Sequence, residues 1–269
     1  MITTAFGFIC ATGEINLDLL LPTLGIFLLA SSSAALNQYQ ERKIDSIMER
    51  TKSRPIPSGR ISERNALAVI FYLGFLGSLF LIIGTGLIGL ALGLLAMFWY
   101  NGVYTPLKRV TPLAIIPGAI IGSIPPVVGW VAGGGALLSP QIIAISFFLF
   151  IWQIPHFWLL LLVFGKDYEQ AGLPSLTKTF SDKQLARITF VWTFATAMTS
   201  LLLPIFNVIE INYGAFLILI LAIGLVVYSA RLLKNDVQRP VFRYTFNAIN
   251  IFTFSIVLFI SIGKLLILY

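Results

Sequence analysis

Residues 17–57 read LDLLLPTLGIFLLASSSAALNQYQERKIDSIMERTKSRPIP. Up to Gln40 the stretch carries one charge, Asp18, and its apolar part meets the requirement of about 20 residues for a helix that crosses a hydrocarbon layer. From Glu41 the composition reverses: Arg42, Lys43, Asp45, Glu49, Arg50, Lys52 and Arg54 crowd together ahead of the helix-stopping run Pro55-Ile56-Pro57. An apolar rod that ends in a dense segment of mixed charge is a membrane span leaving the bilayer.

The same alternation recurs outward from there. Apolar segments of spanning length lie near 17–39, 64–84, 87–105, 112–133, 141–164, 185–206, 212–233 and 245–268. Before them, Met1–Thr12 is apolar but too short to span, and it has neither the basic start nor the small-residue cleavage site of a signal peptide. It reads as the tail of a first helix. The expected fold is therefore all-α, a polytopic membrane helical bundle of eight clear spans plus a truncated first helix, in one domain over 1–269. A mean hydropathy of +0.92, with 58% hydrophobic and 11% charged residues, excludes an ordinary soluble domain. The lone Cys10 excludes a disulfide framework and a thiolate metal cluster.

Of the 18 Lys and Arg, 17 fall in the breaks 40–64, 106–111, 165–187 and 231–243, and Lys264 is the exception. The intervening breaks carry only Glu14, Asp18 and Glu210. The net charge of +7 is thus an orientation signal, not a nucleic-acid footprint. By the positive-inside rule the four basic breaks are expected to be cytoplasmic and Tyr269 outside.

Asn37, Glu41 and Asp45 step by four, so on a helix they drift only about 80° around the axis while rising roughly 12 Å. Oxygen ligands stacked on one face suit a hard cation such as Mg²⁺ shared with substrate phosphates; a salt-bridged helix end is the blander reading. Arg42, Arg50 and Arg54 follow at once, in a turn suited to an anion. Tyr104-Thr-Pro-Leu-Lys108-Arg109 ends another span with two adjacent cations, which serve as a membrane anchor or as charges for a second phosphate. His156, the only histidine, lies inside an apolar span, where an imidazole is costly unless paired or functional. A structural hydrogen bond and a role as proton acceptor both remain open for it. A second acidic cluster stands at Asp167 and Glu169. Two residues apart, they diverge by about 200° on a regular helix, so both reach one metal only if the helix has ended.

Asn37 through Pro55, with acids four and eight positions on and a Lys52-Ser-Arg54-Pro55 ending, resembles the first acidic motif of the UbiA-type intramembrane prenyltransferases. The middle acid, usually Asp there, is Glu41 here, one methylene longer. The Tyr104–Arg109 string resembles the family's Tyr-x-Pro-x-Lys-Arg segment. Gly118 through Trp130, Trp152-Gln-Ile-Pro155-His156-Phe157 and Asp167-Tyr168-Glu-Gln-Ala-Gly172-Leu-Pro174 resemble one branch in particular, the haem O synthases. The likeness runs from about Leu24 through Pro240, with a start shorter than the family's usual entry helix.

The resemblance implies a nine-helix bundle around a cavity open to lipid, in a bacterial-type plasma membrane. It implies catalytic and metal roles for Asn37, Glu41, Asp45 and Asp167, with Glu169 as a further ligand, and a catalytic role for His156, as a proton acceptor, a haem-orienting group or a transient axial contact to iron. Diphosphate would be bound by Arg42, Arg50, Arg54, Lys108, Arg109 and Tyr104. The cofactor implied is Mg²⁺ and the substrates are haem B and farnesyl diphosphate, with the product handed to a haem A synthase or a terminal oxidase. Two other readings are weighed against it: a quinone-type prenyltransferase, which lacks the Trp-x-x-Pro-His-Phe pattern, and a transporter, whose polar residues would line the midplane.

Overall fold

The computed structural model describes residues 1–170, 172–209, 213–234 and 239–266, without the side chains of 163–168, 170, 213 and 239. Every regular element among them is helical. The longer ones are α1 (Ile2–Thr12), α2 (Leu20–Asp45), α3 (Glu63–Phe98), α4 (Ile120–Ala132), α5 (Pro140–Gln170), α6 (Asp182–Ser200), α7 (Tyr213–Ser229) and α8 (Arg239–Leu266). Seven of the continuous helical stretches are long and apolar enough to cross a membrane, and α1 is a shorter apolar helix.

The longest of the seven, Glu63–Leu107, has 45 residues. Drawn straight it would measure about 67 Å, more than twice a hydrocarbon core of about 30 Å. It is not straight. Gly86 has φ 66° and ψ −163°, a conformation essentially closed to residues with a side chain, and the chain folds back there. Leu81 on the first leg lies so close to Gly93 on the second that its Cδ1 would stand 2.5 Å from a Cβ at Gly93. The two legs are therefore antiparallel rods, as the break near 84–88 between the segments expected at 64–84 and 87–105 requires, and among the described residues eight long rods are present.

With lipid outside, apolar area gives little reason for one helix to choose another, and close packing of small residues decides. Gly129 of α4 lies against the backbone of α1, where a Cβ would overlap the Thr4 carbonyl. α2 packs along α3, α3 against α4, α4 against α1 and α5, α5 against α6 and α8, and α7 between α6 and α8. The largest apolar core joins α1, α4, α5, α6, α7 and α8 around Ile145, Phe148, Ile249 and Ile256. A smaller one, with Ile26, Leu29, Leu81 and Val128, ties α2 and α3 to α4.

Two helix ends run further than the hydrophobic pattern indicates, and both carry chemistry. α2 continues to Asp45 and α5 to Gln170, whereas the apolar runs stop near 39 and 164. At the other end of α3, the π-helical turn Trp99–Tyr104 passes into a short turn Thr105–Leu107. Such turns add a residue to the helical cycle and re-aim the side chains that follow.

Replacing Gly86 by Ala is expected to lower stability by about 1–3 kcal/mol through backbone strain, read as a fall in unfolding temperature in detergent. Gly224→Ala, inside α7 with nothing within 4 Å of the added methyl, is expected to leave stability unchanged or raise it by up to about 1 kcal/mol. Equal effects would remove the turn from Gly86.

Candidate active site

The last turns of α2 place Asn37, Glu41 and Asp45 on its buried face, at 6%, 4% and 4% exposure. Carboxylates buried this far need partners, and the neighbouring segments supply them. Lys108, just past the short turn Thr105–Leu107, pairs with Glu41 Oε2. Arg54 NH1 stands 2.9 Å from Asp45 Oδ2. Asn37 Nδ2 donates to Glu41 Oε2 at 3.2 Å and to Thr105 Oγ1 at 2.9 Å. Thr105 in turn donates to the Tyr100 carbonyl at 2.8 Å. The chain after α2 is pulled back over this face: Thr51 Oγ1 donates to the Asp45 carbonyl at 2.9 Å, which brings Arg50 and Arg54 to the same side.

These groups form one pole of a cavity of ≈ 290 Å³. Asn37, Glu41, Asp45, Arg50, Arg54 and Lys108 line it with Tyr100 and Tyr104, whose rings stack at 5.7 Å. The opposite wall is apolar, from Ile115 and Ile121 at the start of the fourth segment and from Phe157, Leu160 and Leu161 of α5. Tyr100, Ile121 and Phe157 also border a second space of ≈ 310 Å³ among Ile26, Leu29, Ala34, Met97 and Pro125. A charged mouth thus continues into an apolar chamber.

Glu41 has one buried oxygen, Oε1, without a hydrogen-bond partner. Arg109 Nε stands 4.0 Å from it. A carboxylate oxygen left in this condition, beside the amide of Asn37 and in helical succession with Asp45, is a fit for a hard cation that needs few protein oxygens and takes the rest from phosphate and water.

Several residues expected at the site are held elsewhere. Arg42 turns away from the cavity: Nε binds Glu63 Oε1 at 2.8 Å and the guanidinium lies 4.4 Å over the Tyr39 ring. Arg109 lies on the rim, partly exposed, and donates to the Gln40 carbonyl at 3.1 Å. His156 lines neither space. Its Nδ1 is 2.7 Å from Asn250 Oδ1, and Trp152, Phe157 and Phe246 surround the ring. The helix does not end before Glu169, since α5 runs to Gln170; Glu169 accepts a hydrogen bond from Thr177 instead of turning toward the acids of α2. The side chain of Asp167 lies outside the described residues.

Conversely, Thr105, Tyr100 and Gln153 are brought to the site without having been singled out. The four-residue step Tyr100, Tyr104, Lys108, which mirrors that of Asn37, Glu41, Asp45, is the signal that could have found the first tyrosine.

Residues 1–256 match the UbiA prenyltransferase family. The chain belongs to that family. Similar UbiA-type chains include the protoheme IX farnesyltransferase of Nitratidesulfovibrio vulgaris, 39% identical over 77% of this chain and 72% of the relative. That of Oleidesulfovibrio alaskensis is 33% identical over 98% of this chain and 91% of the relative. Solved UbiA-type structures share the fold. A digeranylgeranylglyceryl phosphate synthase structure superposes with TM-score 0.80 at 18% identity, over 98% of this chain and 92% of that one. A homologue from Archaeoglobus fulgidus bound to GPP and Mg²⁺ superposes with TM-score 0.68 at 17% identity, over 98% of this chain and 94% of that one. Family membership and the apolar helices make the chain an integral membrane protein.

Removing Lys108 would leave Glu41 buried without its cation. Lys108→Met is expected to destabilise the folded protein by up to about 3 kcal/mol, and Glu41→Gln in that background to recover most of the loss, measured by thermal unfolding in detergent. Additive losses in the double variant would show that the pair is not coupled.

Proposed function

We propose that this protein is a protoheme IX farnesyltransferase, or haem O synthase, which joins the farnesyl group of farnesyl diphosphate to a vinyl group of haem B and releases diphosphate. The observation that carries the reading is the continuity of the charged mouth with the apolar chamber through Tyr100, Ile121 and Phe157. A substrate with an anionic head and a long apolar tail has that shape. The acceptor is inferred from the relatives, among them protoheme IX farnesyltransferases at 33–42% identity.

Arg50, Arg54 and Lys108, with Tyr104, hold the diphosphate. Asn37, Glu41 and Asp45, together with Asp167, would hold Mg²⁺, Glu169 being the second choice. Mg²⁺ held there would neutralise charge on the leaving diphosphate; a homologue of the same fold is bound to GPP and Mg²⁺. Lys108 and Arg54, which in its absence balance the two acids, are then available to phosphate oxygens, so the cations serve both states. The allylic C–O bond breaks with its electron pair on the diphosphate, and the vinyl π electrons of haem B form the new C–C bond. Apolar walls keep bulk water from the allylic cation in the interval. The cation-rich face is cytoplasmic and Tyr269 outside, in a bacterial-type plasma membrane, and the product passes to a haem A synthase or a terminal oxidase.

Membranes bearing the protein, given haem B, farnesyl diphosphate and Mg²⁺, are expected to yield a farnesylated, hydrated haem by mass. Asp45→Ala is expected to reduce the rate by about a hundredfold or more. Arg54→Met should raise KM for farnesyl diphosphate at least about tenfold, and Arg42→Met, whose side chain points away, by less than about threefold. Prenylation of an aromatic acid with no haem product would move the chain to the quinone-forming enzymes.

A further inference from the structure

A third space, of ≈ 530 Å³, lies between α7 and α8 and shares no lining residue with the other two. Ile220, Gly224 and Tyr228 border it from α7, and Tyr244, Asn247 and Ser255 from α8. Gly224 keeps it open, since nothing lies within 4 Å of a Cβ built there. Tyr228 and Tyr244 stand at the helix ends that the basic break 231–243 joins. From them to Ile220 and Ser255 at the other end of the groove, the helices rise about 12 Å and about 17 Å. Half of a hydrocarbon core of about 30 Å is the same length, so the groove is one leaflet deep.

Its chemistry is graded along that depth. At the basic end the Arg231 guanidinium lies 4.5 Å over the Tyr228 ring, and Arg243 is exposed one residue before Tyr244. The break between them holds the cations Arg231, Lys234, Arg239 and Arg243 against a single acid, Asp236. Asn247 follows Arg243 by one helical turn, on nearly the same face and about 6 Å deeper. Its exposed amide makes no hydrogen bond to any described residue. From there to Ser255 the walls are apolar, with Leu225, Ile251 and Phe252 among them.

An amide turned toward hydrocarbon is unfavourable unless a partner reaches it, and cations at a membrane face attract anionic lipid headgroups. A glycerophospholipid offers what the groove asks for in the same order: phosphate, ester carbonyl, acyl chain. A second copy of the chain does not. Two copies inserted the same way round meet across an axis normal to the membrane, which brings the basic end of one groove against that of the other. We infer that the groove between α7 and α8 binds an anionic phospholipid of the leaflet at the basic face. Its phosphate lies between Arg231 and Arg243, an ester carbonyl accepts from Asn247 Nδ2, and one acyl chain runs over Gly224. The site is separate from the charged cavity and does not depend on the reaction proposed there.

The test titrates full-length protein in detergent with dioleoyl phosphatidylglycerol or dioleoyl phosphatidylcholine and reads the bound lipid by native mass spectrometry. The unaltered chain is expected to hold its first phosphatidylglycerol at least about tenfold more tightly than phosphatidylcholine. Arg231→Gln with Arg243→Gln is expected to abolish that preference. Arg64→Gln with Lys178→Gln, which takes the same charge from other parts of the basic face, should leave it within about threefold. Gly224→Phe, which fills the groove, is expected to weaken both lipids about tenfold while the unfolding temperature in lipid-free detergent stays the same. Equal affinity for the two lipids, equal losses in the two double variants, or full lipid retention by Gly224→Phe overturns the proposal. So does a dimer that Gly224→Phe dissociates, which would give the groove to a second copy, or displacement of the lipid by equimolar haem B, which would give it to the proposed acceptor.

Discussion

The ion pairs Glu41–Lys108 and Asp45–Arg54 join three separate pieces of chain: the end of α2, the loop that follows it and the segment beyond α3. Moving a carboxylate out of water costs several kcal/mol even after relaxation. Extending α2 past the apolar run therefore commits the neighbouring chain to bring cations inward. The π-helical turn at Trp99–Tyr104 is where α3 meets that demand. It lies where Asn101 Nδ2 donates to Ser33 Oγ of α2 at 2.6 Å and where Thr105 reaches Asn37. The cavity mouth is the space these bonds leave between the two helices and α5.

What makes the pairing useful is that it is incomplete. Glu41 keeps an oxygen without a hydrogen bond, and both cations are partly exposed, Lys108 at 17% and Arg54 at 34% of their side chains. A fully satisfied network would be a structural plug. Here an incoming anion with its own counter-ion can exchange partners with the protein's acids and bases without leaving any charge uncompensated. The arrangement thus prepares one site for opposite charges, which neither acids alone nor cations alone could do in a low-dielectric wall.

The rods were legible because lipid imposes length and apolarity on each of them separately, so local composition carries the information. The break expected at 84–88 corresponds to the fold-back at Gly86, and the stripe of Asn37, Glu41 and Asp45 does share a face. Helix ends were less legible: α2 and α5 outrun their apolar segments because buried polar residues continue them, and hydropathy does not see such residues as interior. Side-chain direction was the least legible property. Arg42 lies within the acidic stripe and Arg54 after it, and the neighbours Glu63 and Tyr39 hold the first away from the cavity. His156 stood out by its rarity. Its tie to Asn250 joins α5 to α8, a contact between residues far apart in sequence that no local pattern announces.

Prenyl transfer makes contradictory demands on its surroundings, polar where diphosphate leaves and apolar where a carbocation forms, and the order of residues along the cavity answers them. Near the basic face, charge is concentrated and a diphosphate can depart. Between Tyr100, Ile121 and Phe157 the walls are apolar and aromatic, and an allylic cation there meets π faces instead of nucleophilic water. These three residues border both spaces, so the departing anion and the cation it leaves behind are met by different walls of one continuous cavity: charge at the mouth, apolar and aromatic surface where the chain of the substrate runs on.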